Sequence, residues 1–335
     1  MKIAFFDSKP YVQKIFEDAN QGKHDLRFFP VKLTHETVEL AKGFESICVF
    51  VNDYLNAAVL ESLSNLGVRL IALRCKGSDN LDLKACKTHG LEAVRVPHYS
   101  PHAVAEHAVS LMLTLNRHTH KAYNRIHEGN FSLDDLVGFD MHGKTVGVIG
   151  AGDIGKILIK IMLGFGCTVL VYDLVDKAGE LKDFAPDKLK LVDLDTLYVN
   201  ADIISLHIPL TDENHHLINA AAIAKMKDGV MIINTSRGGL IDTQALIAGI
   251  KSKKIGHVGL DVYEHEAKYF FEDFSNSVIT DDDLARLIAF PNVLITSHQA
   301  FLTNEALRDI AQTTLLSITE FEQGKRGSEL SFGIR

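Results

Sequence analysis

Arg237, His298 and a glutamate at position 264 or 266 are the residues whose types and places could run chemistry on a small anionic molecule. Arg237 follows the apolar run VMIINTS (230–236) and precedes Gly238 and Gly239. A guanidinium there can grip a planar carboxylate through two parallel hydrogen bonds and polarise the neighbouring carbonyl, which a lysine does poorly. His298 ends the run NVLITSH (292–298). The chain has 16 histidines, and the strand-end position is what separates this one from the rest. Glu266 lies just beyond the run HVGLDVY (257–263), with Glu264 two residues earlier. A carboxylate beside an imidazole favours the charged ring, which can then pass a proton to a developing alkoxide. Spacing does not choose between the two glutamates.

A second group of residues points to a nucleotide. Gly150, Ala151, Gly152, Asp153, Ile154 and Gly155 spell G-x-G-x-x-G. The hexapeptide alone is weak, but here it follows an apolar run and opens a helical pattern through Ile154, Ile157, Leu158 and Ile161. The run TVLVYD then ends in Asp173, 18 residues beyond Gly155. In that context the glycines permit a tight turn, a close approach of pyrophosphate to backbone, and close helix–strand packing. The helix start offers unpaired N–H groups to phosphate. Asp173 is placed to accept from ribose hydroxyls. Leu174, Val175 and Asp176 follow it without a cation for a 2′-phosphate, so NAD is expected rather than NADP.

The elements that position these residues read as alternating short apolar runs and helical patterns, the signature of βα units and a parallel sheet. Strands are expected at 2–7, 25–30, 46–51, 69–75 and 92–97, and in a second series at 144–150, 168–173, 201–209, 230–236, 257–263 and 292–298. Between the series, residues 101–126 read as one long helix, with Pro101 in its first turn and Val104, Ala108, Leu111 and Leu115 on one face. Another helical stretch covers 304–320 and crosses back to the first domain. The expected fold is α/β: two doubly wound parallel-sheet domains, Rossmann- and flavodoxin-like, joined by long linker helices. The first is discontinuous (1–100 plus 299–335) and binds substrate; the second (101–298) binds NAD.

Composition excludes several alternatives. The 335 residues suit two domains. A net charge of -8 and the lack of a basic stripe argue against nucleic acid. The four cysteines, at 48, 75, 86 and 167, form no C-x-x-C pair and fit a reducing compartment. No apolar run reaches the ~18 residues of a membrane helix, so a cytoplasmic protein is expected. No metal is expected: His265-Glu266 and His127-Glu128 lack the second histidine of a zincin motif, and His102, Glu106 and His107 have the wrong spacing for its inverse.

The chain resembles the D-isomer-specific 2-hydroxyacid dehydrogenases. The resemblance is carried by RCKGSDNLDL, YSPHAVAEHAVSLML, VGVIGAGDIGK, HIPLTDENHHLIN, MIINTSRGGLID, GLDVYEHEAKYFFEDFSN and NVLITSHQAFLTNEAL, which span residues 69–307 in the family's order. It implies catalytic roles for Arg237, Glu266 and His298, deciding for Glu266 over Glu264. It also implies that Ile208, Pro209, Asn214, Thr235, Ser236, Arg237 and Asp261 lie along the cofactor, with Asp261 near the nicotinamide amide. Backbone at Lys76, Gly77 and Ser78 would cradle the substrate carboxylate. Tyr99 and Phe301 would line the substrate site with Arg237 and His298. The long acidic segment 267–287 is similar to the D-lactate branch, which implies pyruvate and D-lactate; Lys76 departs from the uncharged residue usual there. Two other readings are a dehydrogenase for larger, aromatic 2-oxo acids such as phenylpyruvate, and an NAD-sensing corepressor. The family implies a homodimer.

Overall fold

The computed structural model describes residues 1–334 apart from 183 and 186. The chain divides into two compact units, residues 1–100 with 301–335 and residues 101–300.

The first unit is built on five parallel strands: β1 (Lys2–Phe5), β2 (Asp25–Phe28), β3 (Ser46–Val49), β4 (Leu70–Leu73) and β5 (Glu92–Arg95). Their order is β2-β1-β3-β4-β5, the flavodoxin-like arrangement. The helix Asn304–Glu322 belongs wholly to this unit, packing on the helix Pro10–Asn20 and on β4 and β5. Thr303 caps it by accepting from the Ala306 N–H.

The second unit holds seven parallel strands: β6 (Thr145–Ile149), β7 (Thr168–Tyr172), β8 (Leu189–Leu191), β9 (Ile203–Leu206), β10 (Val230–Asn234), β11 (Ile255–Leu260) and β12 (Val293–Ile295). The order is β12-β11-β10-β9-β6-β7-β8. Read from β6, this is the dinucleotide-binding order with one strand added beyond β11, and its direction of winding reverses between β6 and β9. Alternate residues of each strand enter opposite cores. Met231 and Ile233 join Val146, Val148 and Val171 on one face, while Val230 and Ile232 join Ile149, Ile204 and Leu206 on the other. Burial on both faces is why these strands read as continuous apolar runs rather than alternating ones.

Three details differ from the expectations. Residues 101–126 are not one helix: Pro101–Arg117 and Thr119–His127 are separated by His118, whose φ of 50° lies in the left-handed region. The buried face ends at Leu115 and Asn116, and the second helix buries nothing, so no packing enforces a continuous rod. The edge strand β8, three residues long and mostly exposed, gave no apolar run to read. Every expected strand also ends early. Residues 235–236, 261–263 and 296–298 leave the ladder and form the turns described next.

Candidate active site

Glycine geometry fixes the loop between β6 and the helix Asp153–Gly164. Gly150 has φ of 99°, and a Cβ there would stand 2.6 Å from the His207 carbonyl oxygen. A Cβ on Gly155 would stand 1.9 Å from the Gly150 oxygen. Gly152, by contrast, has nothing within 4 Å of that position, so open space lies over the middle of the turn. The helix following it has no side-chain cap, which leaves first-turn N–H groups for an anion. Asp173, at the end of β7, accepts from the Ala151 N–H at 2.7 Å and from the Val175 N–H at 3.0 Å. Its carboxylate therefore ties the glycine loop to the strand whose end it occupies.

Across the switch from β6 to β9, Ile208 and Pro209 follow β9, and Asn214 organises the loop after them. Its side chain donates to the Pro209 carbonyl and accepts from the Thr211 N–H, both at 2.8 Å. Ser236 Oγ donates to the Ile208 carbonyl at 2.5 Å, joining this loop to the end of β10. Thr235 beside it is buried, and its hydroxyl has no hydrogen-bond partner. An orphaned buried hydroxyl is costly unless a ligand completes it. The glycine cradle, the uncapped helix start and this hydroxyl lie at the carboxyl ends of β6, β9 and β10, where open α/β sheets bind ligands. These residues fit NAD.

Arg237 is set by the end of β10. Asn234, fully buried, donates from its side chain to the Arg237 carbonyl at 2.8 Å and accepts from the Ser236 N–H at 3.0 Å. The next residue must be glycine, because a Cβ on Gly238 would lie 2.1 Å from the Tyr263 carbonyl carbon and 2.3 Å from the Glu264 nitrogen. The Arg237 turn is thus pressed backbone to backbone against the segment leading into Glu266.

His298 Nδ1 lies 2.6 Å from Glu266 Oε1, and both side chains are about four-fifths covered. Glu266 Oε2 accepts from the Tyr263 N–H at 2.8 Å, so the glutamate is held at both oxygens. His298 itself adopts a left-handed φ of 50°, an unfavourable backbone for a non-glycine residue that surrounding bonds must enforce. Asp261 supplies them. Its carbonyl accepts from the His298 N–H at 2.7 Å. Its carboxylate, fully buried, accepts from Thr296 Oγ1 (2.6 Å), the Gln299 N–H (2.8 Å) and the Ala300 N–H (2.8 Å). In this structure Asp261 braces the loop that carries His298. His107, on the helix Pro101–Arg117, joins the same network, its Nε2 3.0 Å from Thr296 Oγ1 and 3.4 Å from Asp261 Oδ1.

The two glutamates are thereby separated. Glu264 turns away to His216 at 2.6 Å and to Thr243 at 3.1 Å. Arg237, Glu266 and His298 follow the neighbouring strands β10, β11 and β12. The remaining named residues lie in the first unit. Lys76 is exposed, with its carbonyl accepting from Arg95 at 3.2 Å, and Gly77 and Ser78 are half-buried after β4. The Phe301 ring packs 6.1 Å from Tyr99 and 6.0 Å from Phe50.

Sequence reasoning missed Asn234, His107 and the bracing carboxylate of Asp261 as positioning residues. Only Asn234 left a signal, as a polar residue closing an apolar strand. His207 was missed too. Its side chain bonds Ser205 Oγ at 2.8 Å under the glycine loop, and burial pulls its pKa down to about 4.

The family described as D-isomer specific 2-hydroxyacid dehydrogenase, NAD binding domain, matches residues 109–300. A 2-hydroxyacid dehydrogenase homolog of Haemophilus influenzae is 52% identical over 328 residues, covering 97% of both chains. D-lactate dehydrogenase of Escherichia coli is 51% identical over 326 residues, covering 97% of this chain and 98% of that one. The apo-structure of the Escherichia coli enzyme superposes with a TM-score of 0.90 over the full length of both chains at 47% identity. The pyruvate reductase of Chlamydomonas reinhardtii does so with a TM-score of 0.92 at 42% identity, covering 99% of this chain and 98% of that one. With its glycine cradle, its parallel-sheet topology and near full-length identity about one half, this chain belongs to the D-isomer-specific 2-hydroxyacid dehydrogenases and is an NAD-dependent enzyme of that family.

Proposed function

We propose that the protein reduces pyruvate to D-lactate, with His298 as proton donor. The observation that carries this reading is the 2.6 Å His298–Glu266 pair, its members following the two strands beside the one that leads into the Arg237 turn. NADH, when bound, supplies the hydride that the carbonyl carbon of the substrate accepts. The chain's own residues do the rest. Gly150, Gly152, Asp153, Ile154 and Gly155 hold the pyrophosphate, Asp173 the adenosine ribose, and Ile208, Pro209, Asn214, Thr235 and Ser236 the remainder of the dinucleotide.

Arg237 forks onto the substrate carboxylate and draws electron density from the adjacent carbonyl. Glu266 takes the Nδ1 side of the imidazole, which leaves Nε2 to donate to the carbonyl oxygen as negative charge grows on it. Asp261, through the loop it braces, keeps that ring from turning. In the first unit we assign Lys76, Gly77 and Ser78 to the carboxylate and Tyr99 and Phe301 to the substrate side chain. The names of the Escherichia coli and Chlamydomonas relatives support pyruvate as the substrate.

We further assign a cytoplasmic homodimer. No described helix is long and apolar enough to cross a membrane. Tyr123 and Ile126 are 65% and 55% exposed on a helix that buries nothing of its own, an apolar surface suited to a second copy. Light scattering checks the dimer. The substrate is tested by NADH oxidation with pyruvate, 2-oxobutyrate, phenylpyruvate and glyoxylate in parallel. The highest kcat/KM is expected for pyruvate; a preference for phenylpyruvate would keep the machinery and overturn the substrate.

A further inference from the structure

His215, His216 and Glu264 take no part in the reaction assigned above, yet the fold gathers them. His216 Nε2 is 2.6 Å and His215 Nε2 3.6 Å from the same oxygen, Glu264 Oε1. The two imidazoles stack with centroids 3.8 Å apart. Consecutive side chains of an extended chain ordinarily point to opposite sides. Here His216 has a left-handed φ of 54°, with its N–H donating to the Gly239 carbonyl at 2.8 Å, and both rings fall on one side, facing the carboxylate. A single imidazole already pairs Glu264. The second, on a half-exposed side chain, adds neither core packing nor a second direct hydrogen bond.

The donor set is two imidazole nitrogens and one carboxylate oxygen, with one donor atom from each residue within 4.8 Å of the others. That is the His–His–Glu composition of zinc sites that keep a fourth position for water. Metal–ligand bonds of about 2.0–2.2 Å in a tetrahedron put donor atoms about 3.3 Å apart. The observed 2.6 and 3.6 Å lie either side of that, so each imidazole–carboxylate distance needs a change of under about 1 Å. Thr243 Oγ1 donates to Glu264 Oε2 at 3.1 Å, an outer hydrogen bond that orients the carboxylate as metal-binding carboxylates are oriented.

We infer that His215, His216 and Glu264 form a binding site for one zinc-class divalent ion, which fastens the 209–216 loop to the segment 263–266. The loop end is adjacent to Asn214. Glu264 is two residues from Glu266, and His215 also lies against the Gly239 turn, where a Cβ would meet its ring at 3.4 Å. The sequence hid this site because its ligands are 48 residues apart and match no zincin spacing.

The test uses full-length protein freed of metal by chelator dialysis. Zinc is titrated calorimetrically, and cobalt is titrated by the visible absorption of its tetrahedral complex. One equivalent per chain is expected, and both His215→Ala and Glu264→Gln should weaken binding by at least about tenfold. His127→Ala, outside the donor set, should leave it unchanged. Zinc should also raise the Tm of the wild type and not of His215→Ala, in keeping with a ligand held only by the folded state. His215 is exposed, so its replacement tests the site without threatening the fold. No saturable binding, or binding of equal strength in His215→Ala, would overturn the proposal. These readouts need no turnover, so they stand or fall apart from the substrate assignment.

Discussion

Gly238 sets how closely the Arg237 turn approaches the segment that carries Glu266, and its replacement by alanine is the most direct mechanical test of that arrangement. The added methyl would sit 2.1 Å from the Tyr263 carbonyl carbon and 2.3 Å from the Glu264 nitrogen, both backbone atoms. Ordinary contact begins near 3.4 Å, so the two strand ends must part by about 1.3 Å. Neither partner is a side chain that can rotate away. A misplacement of about 1 Å at a reacting centre costs about 10²-fold in rate, and overpacking costs about 1–3 kcal/mol in stability. At about 2–4 °C per kcal/mol for a unit of this size, Tm falls by roughly 2–12 °C. Steady-state kinetics should show kcat falling and KM for the 2-oxo acid rising, while fluorescence titration finds NADH still bound. Gly238→Ala with wild-type kcat/KM would refute the argument that this backbone contact positions Arg237.

Four further outcomes are expected. His298→Ala loses about 10²–10⁴-fold in kcat while NADH binding survives, read by turnover and fluorescence titration. Arg237→Lys raises KM and lowers kcat together, because the fork is lost although the charge stays; an unchanged KM removes Arg237 from the carboxylate. Asp173→Ala frees the Ala151 and Val175 N–H groups it now binds, so NADH affinity falls and the preference over NADPH narrows in parallel titrations. Burial holds the folded-state pKa of His207 at about 4, below its ordinary 6.5. A depressed folded pKa means a contribution to stability that is whole above pH 6.5 and lost as pH falls toward 4, up to about 3 kcal/mol. Denaturant midpoints measured across that window should fall with acid in the wild type and flatten in His207→Asn.

Much of this was legible because burial on both faces of a parallel sheet leaves an unbroken apolar signature. The five strands of the first unit and six of the second announced themselves that way, and the strand ends named Arg237 and His298. The ends also show where reading stops. Thr235, Ser236 and His298 look like strand residues because they are carried on apolar runs, yet each leaves the ladder to build a turn. The break at His118 was invisible because a left-handed histidine has no side-chain signature. Spacing alone left Glu264 and Glu266 open, and the choice of Glu266 came from the family resemblance. Both follow the same strand, and only the 3₁₀ turn starting at Glu266 aims one of them at His298. The work of Asp261 was equally hidden, since three donors reach its carboxylate from residues 35 to 39 positions later.

Whether this constellation turns a 2-oxo acid into the D-hydroxy acid is decided by chiral analysis of the product formed from pyruvate and NADH. D-lactate alone is expected, formed in step with NADH oxidation and abolished in His298→Ala. L-lactate as the product, or tight NADH binding with no turnover of pyruvate or any other 2-oxo acid, would contradict it.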